Sequence, residues 1–157
     1  MSTTTKRAMR QQIQSALSLS TKQSIAAQSA AVLAQLATIP AYSNCHCATI
    51  YLPMERGGEI DTWPILAELL SRGVQVGVPR VTGPKPADMV MLRISSLDEA
   101  KALPRTKWGI PEPDEKLSEN MEDMTATAEF DVLLVPGVAF DARCNRLGHG
   151  RGYYDSF

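Results

Sequence analysis

Arg146-Leu-Gly-His-Gly-Arg-Gly-Tyr-Tyr-Asp155 interleaves Gly148, Gly150 and Gly152 with Arg146, His149 and Arg151. Glycine lets backbone N–H groups come close to an anion, and flanking cations neutralise it. The chemistry such a stretch serves is phosphate binding. A flexible turn with solvated arginines is the plain alternative. It is not a Walker A loop, because Gly-Lys-Ser/Thr is missing. It is not the dinucleotide fingerprint either, whose third glycine is spaced differently.

Other residues could serve the same chemistry. At about 100° per residue, Lys6 and Arg10 fall near Ile13 and Leu17 on one helical face, with Arg7 roughly opposite. Charged groups seldom point at a core without a partner. Either both side chains snorkel outward from a fraying turn, or they reach an anionic ligand at the rim of the core. Glu59 follows Gly57-Gly58; a carboxylate there can accept paired N–H bonds from a heterocycle or stay solvated. Asp155 can cap a helix or bind Mg²⁺ through a carboxylate oxygen. Cys45-His46-Cys47 lacks the second ligand pair of a closed zinc site, and Cys144 with His149 complements it poorly. Cys47 reads as a small core residue. Trp63 and Trp108 read as packing residues by default, although Trp108, inside the long loop at Trp-Gly-Ile-Pro-Glu-Pro113, could instead meet a ligand.

The elements that must position these groups follow from periodicity. Met9, Ile13, Ala16 and Leu17 predict a helix from Lys6 to about Leu19. Ser20 with Gln23 reads as a capping box for a second helix, stopped by Pro40. Cys47 to Leu52 is an apolar β-rich run ended by Pro53. Gly57-Gly58 is a turn. Asp61 or Thr62 caps a helix that tolerates Pro64 in its first turn and ends at Gly73. Strands are expected at Val74–Val78, ended by Pro79, at Met89–Ile94 and at Val132–Val135, with a short helix within Ser95–Leu103. Pro104 to Glu129 shows little periodicity and reads as a long loop that is functional or partly mobile. Phe140 to Leu147 reads as a hairpin. Alternating helices and continuously apolar strands imply an α/β layered fold with a largely parallel sheet. Ligands in such folds lie beyond the carboxyl ends of the strands.

The chain has 157 residues, 44% hydrophobic and 21% charged, which fits a single domain over 1–157 with a real core. It has no apolar run of about 18 residues, so a membrane span is not expected. A net charge of −1 excludes nucleic-acid binding through bulk positive charge. That average hides an asymmetry. Residues 1–54 carry Lys6, Arg7, Arg10 and Lys22 and no acid, giving +4, so the remainder carries −5. A basic, Ser/Thr-rich start can be a mitochondrial transit peptide or a helix that faces an anion.

Pro136-Gly-Val-Ala-Phe-Asp141 followed by Asn145-Arg-Leu-Gly-His-Gly-Arg-Gly-Tyr-Tyr-Asp155 closely resembles the signature of the 5-formyltetrahydrofolate cyclo-ligases, also called 5,10-methenyltetrahydrofolate synthetases. Lys6-Arg-Ala-Met-Arg10, Tyr51-Leu-Pro-Met, Glu59-Ile-Asp-Thr and Gly109-Ile-Pro-Glu-Pro113 resemble that family's other motifs in order. The resemblance implies a three-layer α/β/α domain with Rossmann-like layering. It implies ATP- and Mg²⁺-dependent conversion of 5-formyltetrahydrofolate to 5,10-methenyltetrahydrofolate, with ADP and phosphate released through a phosphorylated formyl intermediate. It implies that Lys6, Arg10, Arg146, Gly148, His149, Gly150, Arg151, Gly152, Tyr153 and Tyr154 bind ATP. Leu52, Glu59, Gly150, Arg151, Gly152 and Tyr153 would bind the folate. Arg146, Arg151 and Tyr153 would act in catalysis, and Asp155 would bind Mg²⁺. A cytoplasmic monomer is expected, since Lys6 and Arg10 then belong to the mature site and the mitochondrial reading loses weight.

The family's sequences continue past Tyr-Tyr-Asp with further sheet and a second metal-binding acid, whereas this sequence stops at Phe157. The expectation is therefore a carboxyl-terminally incomplete domain that lacks its last strands, exposes a sheet edge and associates through it. Slow turnover with retained binding follows. The alternative is a non-catalytic nucleotide- or folate-binding relative.

Overall fold

Cys47–Ile50 is buried at all four positions, which a strand tolerates when its sheet is covered on both faces. This is β1. The computed structural model describes residues 3–54 and 58–157. β1 lies between β2 (Gln75–Val81) and β4 (Val132–Leu134), with β3 (Met89–Ile94) outside β2, in the order β3-β2-β1-β4. β1 pairs in parallel with both neighbours, and β2 pairs antiparallel with β3. Around the sheet run α1 (Thr3–Leu17), α2 (Lys22–Leu36), α3 (Pro40–Ser43), α4 (Trp63–Ser71), α5 (Leu97–Ala102), α6 (Glu115–Ser118) and α7 (Tyr153–Ser156). A separate hairpin joins β5 (Ala139–Phe140) to β6 (Arg146–Leu147). The architecture is α/β with a mostly parallel central sheet, as the periodicity implies.

The main core joins Ile50, Val76, Val78 and Ile94 of the sheet to Ile65, Leu66 and Leu69 of α4. α2 adds Val32, Leu33 and Leu36 from behind. Thr49, Gly77 and Leu133 are register partners on the opposite face. A Cβ at Gly77 would meet Met91, Met124 and Phe130, so those side chains cover that face. No helix among the described residues is long and apolar enough to cross a membrane.

Several boundaries differ from expectation for local reasons. The cap of α2 is Thr21, whose side chain accepts from Ser24 N–H, one residue beyond Ser20. Pro40 opens α3 at its first turn, and α2 ends earlier at Leu36. β2 runs through Pro79 to Val81. β1 pairs with it only as far as Gly77, so Pro79 lies where β2 has one strand neighbour and a missing N–H is tolerated. The long loop contains α6, capped by the Asp114 side chain. Gly58 sits at φ 71; Gly57 of the expected turn lies outside the described residues.

Asp131 fastens β4 to β1. Its carboxylate accepts the N–H groups of His46 at 2.7 Å and Cys47 at 3.0 Å. These two bonds hold its pKa below the ordinary aspartate value. A depressed carboxylate stabilises the fold above its unfolded pKa, and the effect is lost as pH falls through the folded value. Below about pH 4 the protein should therefore lose stability faster than an Asp131→Asn variant, whose midpoint at neutral pH is already lower. Urea titrations of both proteins across pH 3–7 check this.

Thr49 presents the opposite case. It is 1% exposed, and its hydroxyl has no hydrogen-bond partner among the described residues. A buried, unpaired hydroxyl is costly, and replacing it with an apolar group of the same shape removes that cost. Thr49→Val should raise the urea midpoint, for a gain of about 1 kcal/mol in unfolding free energy. A lower midpoint would show that the hydroxyl is paired after all.

Candidate functional site

The β5–β6 hairpin delivers the glycine-rich segment. Asp141 builds its turn by accepting N–H bonds from Arg143 and Asn145, both at 2.9 Å, and one from the Asn145 amide at 2.8 Å. These bonds lower the Asp141 pKa, the two from Asn145 foremost. Arg146 then leaves the hairpin as a strut. Its guanidinium donates to the Pro136 carbonyl at 2.9 Å, pairs with Asp155 and lies 5.9 Å from the Tyr154 ring centre.

The loop beyond it is held from two other elements. Arg10 of α1 donates through Nε to the Gly148 carbonyl at 2.7 Å. Gly150 has φ +98, and a Cβ there would sit 3.2 Å from the Arg10 Cζ. Only glycine accepts both that backbone and that neighbour. From the other side, Tyr153 donates its hydroxyl to the Gly83 carbonyl at 3.0 Å, in the loop between β2 and β3. His149 and Arg151 are exposed beside these anchors.

A cleft of about 350 Å³ adjoins the loop, lined in part by Pro53, Met54, Glu59, Asp61 and Trp63. Glu59 joins the two. One carboxylate oxygen accepts the Met54 N–H at 3.0 Å, and the other lies 3.6 Å from His149 Nε2. Two phenols sit in its field. Burial, and then the Glu59 charge, push the Tyr51 pKa up to about 12. Burial also raises that of Tyr154, helped by Tyr51, Glu59 and Glu112 and opposed by Arg146. Glu112 itself is raised by burial, against the Val81 N–H and the Arg80 charge. Both phenols therefore stay protonated and able to donate at neutral pH.

The structure brings together most of the residues singled out from the sequence. Arg10, Gly148, His149, Gly150, Gly152, Tyr153, Tyr154, Asp155, Arg146 and Glu59 form one connected region. Lys6 and Arg151 are exposed. Leu52 is 3% exposed within the core, while its chain neighbours Pro53 and Met54 line the cleft. Trp63 packs partly against the core as expected. Trp108 does not: it is 57% exposed, with the Lys107 ammonium 4.4 Å above its ring. Tyr51, Arg80 and Glu112 were not singled out from the sequence. Glu112 lies inside Gly109-Ile-Pro-Glu-Pro113, where an acid between two prolines was the available signal.

The donor set also bears on metals. No three His, Cys, Asp or Glu side chains converge among the described residues. Asp155 offers a carboxylate that is 74% exposed and shared with Arg146. One carboxylate suits Mg²⁺, which keeps its waters and leans on phosphate oxygens.

A family model described as the 5-formyltetrahydrofolate cyclo-ligase family matches residues 2–157. The chain is 31% identical to a Schizosaccharomyces pombe protein named "Probable 5-formyltetrahydrofolate cyclo-ligase", over 85% of this chain and 61% of the relative. It is 34% identical to the Mus musculus 5-formyltetrahydrofolate cyclo-ligase, over 74% of this chain and 55% of the relative. The chain thus spans little more than half the length of these curated relatives. The solved structure of Aquifex aeolicus 5,10-methenyltetrahydrofolate synthetase superposes with a TM-score of 0.71 at 27% identity, covering 96% of this chain and 70% of that one.

The Arg10–Gly148 bond is a charge-assisted contact worth about 1.5–3 kcal/mol. Arg10→Met should therefore speed amide hydrogen exchange across residues 148–152 by roughly ten- to hundredfold. The strands of the central sheet should exchange as before. Unchanged loop protection would mean that Tyr153 and Arg146 hold the loop without α1.

Proposed function

The chain belongs to the 5-formyltetrahydrofolate cyclo-ligase family, and from that membership and the site's geometry we propose that it converts 5-formyltetrahydrofolate to 5,10-methenyltetrahydrofolate with ATP. The observation that carries the reading is the meeting of the glycine loop and the cleft at Glu59 and His149, 3.6 Å apart. A reaction in which a nucleotide phosphorylates a second ligand needs two binding regions that touch.

In the proposed reaction the formyl oxygen attacks the γ-phosphorus and ADP leaves. N10 of the folate then attacks the activated formyl carbon. The C–O bond breaks, phosphate departs with the formyl oxygen, and the N10 proton is released. No covalent bond to the protein is needed. Phosphoryl transfer is mainly positioning and charge stabilisation, so the chain's work is to supply cations and oriented donors.

Lys6, Arg10 and Arg151 would offer positive charge to the ATP phosphates, and His149 a ring N–H donor. The backbone from Gly148 to Gly152 supplies N–H donors at close range. Arg146 is clamped by Pro136 and Asp155, so it contributes a fixed charge rather than a roaming one. Tyr154 lies in the field of Glu59, where its protonated phenol can donate to the formyl group, while Tyr153 holds the loop to the Gly83 carbonyl. Glu59 would accept N–H bonds from the pterin edge, with Pro53 and Met54, just beyond β1, as the wall and Leu52 supporting them from the core. Asp155 would hold Mg²⁺, which supplies charge neutralisation along the phosphates when bound.

Glu59→Gln keeps an acceptor for the Met54 N–H but loses the charge, which tests the pterin assignment without unravelling the loop. The substitution should raise the folate KM roughly ten- to hundredfold while leaving ATP affinity unchanged. The readout is the ultraviolet absorbance of the methenyl product, with ATP and Mg²⁺ present. No product from the unaltered chain would overturn the ligase reading in favour of binding alone. An equal loss for both ligands would overturn the role of Glu59.

A further inference from the structure

The protein has four tyrosines, and two spend their hydroxyls within the fold. Tyr42 donates to the Glu68 carboxylate at 2.7 Å and Tyr153 to the Gly83 carbonyl at 3.0 Å. Tyr51 and Tyr154 have no hydrogen-bond partner for the hydroxyl among the described residues. Both are partly buried, and both keep their protons at neutral pH. A phenol taken out of bulk water ordinarily finds an acceptor. In the proposed reaction Tyr154 has one in the formyl group, and Tyr51 has none.

The strand sets where Tyr51 stands. Ala48, Ile50 and Leu52 alternate into the main core, while Thr49 lies on the opposite face with Gly77 and Leu133. Tyr51 follows Thr49 at the two-residue period. It therefore stands just beyond the carboxyl end of β1, on the side away from α4, in the region where open α/β sheets take their ligands. Its carbonyl accepts the hydroxyl of buried Thr62 at 2.8 Å, which fixes the backbone there. Its neighbours stand in order. After burial, Glu59 raises the Tyr51 pKa. After burial, Tyr51 raises that of Tyr154 more than Glu59 does. Coulomb interactions weaken with distance, so the sequence in space is Glu59, Tyr51, Tyr154. Arg146 of the glycine-rich segment follows, 5.9 Å from the Tyr154 ring centre.

The reacting edge of a 5-formyltetrahydropterin presents its groups in a matching order. The 2-amino group and N3–H donate, and the 4-oxo group accepts. The formyl oxygen on N5 accepts beside it, because C4 and N5 share a ring carbon. We infer that the Tyr51 hydroxyl donates to the 4-oxo group of the pterin, between Glu59 at N3–H and Tyr154 at the formyl group. The assignment rests on the reading of Glu59 as the acceptor for the pterin edge. It makes Tyr51 a specificity residue. A ring with an amino group at C4 offers Tyr51 a donor in place of an acceptor, and its N3 has no proton for Glu59. A site built to hydrogen-bond one pattern rejects the other because its own polar groups are left unpaired.

Calorimetric titration can compare 5-formyltetrahydrofolate with its analogue that carries an amino group in place of the 4-oxo group. The unaltered protein should prefer the oxo ligand. Tyr51→Phe removes only the hydroxyl. It should weaken the oxo ligand by roughly two- to tenfold, the range for one neutral hydrogen bond, and leave the amino ligand unchanged. Unchanged binding of the amino ligand also shows that the variant is folded. Equal losses for both ligands would give Tyr51 a packing role and overturn the assignment, as would no loss for either. Tyr154→Phe removes a contact to the formyl group that both ligands share, so it should weaken both alike; a loss confined to the oxo ligand would put Tyr154 at the 4-oxo group instead of Tyr51. Equal affinity of the unaltered protein for the two ligands would overturn the placement of Glu59 at N3, and Tyr51 with it. Failure to bind 5-formyltetrahydrofolate at all would overturn the folate reading itself.

Discussion

The bond from Arg10 to the Gly148 carbonyl spans 138 residues of sequence, and the candidate site depends on it. Glycine loses more conformational entropy on ordering than any other residue, so a segment with glycine at every second position is costly to order. The three glycines of Gly148–Gly152 bring no side chains to bury against that loss. Order has to be imposed from outside. α1 supplies Arg10, the β2–β3 loop supplies the Gly83 carbonyl to Tyr153, and Arg146 clamps the base of the loop to Pro136. Three parts of the chain that share no sheet ladder are joined by one short loop.

This explains what was legible in the sequence and what was not. Periodicity placed α1, α2, α4 and all four strands of the main sheet, because buried apolar spacing dictates those elements. It also put Arg10 on the face of Ile13 and Leu17, and all three are partly buried together. The motif from Arg146 to Asp155 was visible as composition, since few other tasks need glycines and cations so interleaved. The partners of the motif were not visible. Gly83 and Pro136 act through backbone carbonyls, which any residue type could provide. Glu112 took its meaning from burial beside Arg80, and Trp108 was misjudged because a large aromatic is buried by default. The run of β2 past Pro79 depended on β1 ending its pairing at Gly77, a tertiary fact that no local rule contains.

Electrostatics tie the two halves of the site more closely than distance alone. Glu59 raises the pKa of Tyr51 and of Tyr154 while accepting the Met54 N–H. Burial is the first cause in both phenols, so the charge acts in a poorly screened region where Coulomb terms are larger than in water. Neutral phenols there are committed donors. A carboxylate, two phenols and a clamped guanidinium make a fixed pattern of dipoles, and such a pattern stabilises developing charge without reorganising.

The same geometry decides which cation does what. Arg146 is only 17% exposed in its side chain and is already bonded to Pro136 and Asp155. Moving it to follow a phosphate would break its pair with Asp155 and leave the Pro136 carbonyl without that donor. Lys6 and Arg151 face solvent and carry no such penalty. The positive field at the loop therefore has a rigid part and a mobile part. The rigid part sets where charge is stabilised in the proposed phosphoryl transfer. In that proposed reaction the mobile part would follow the nucleotide as it enters and leaves, so tight positioning and release need not compete for the same side chain.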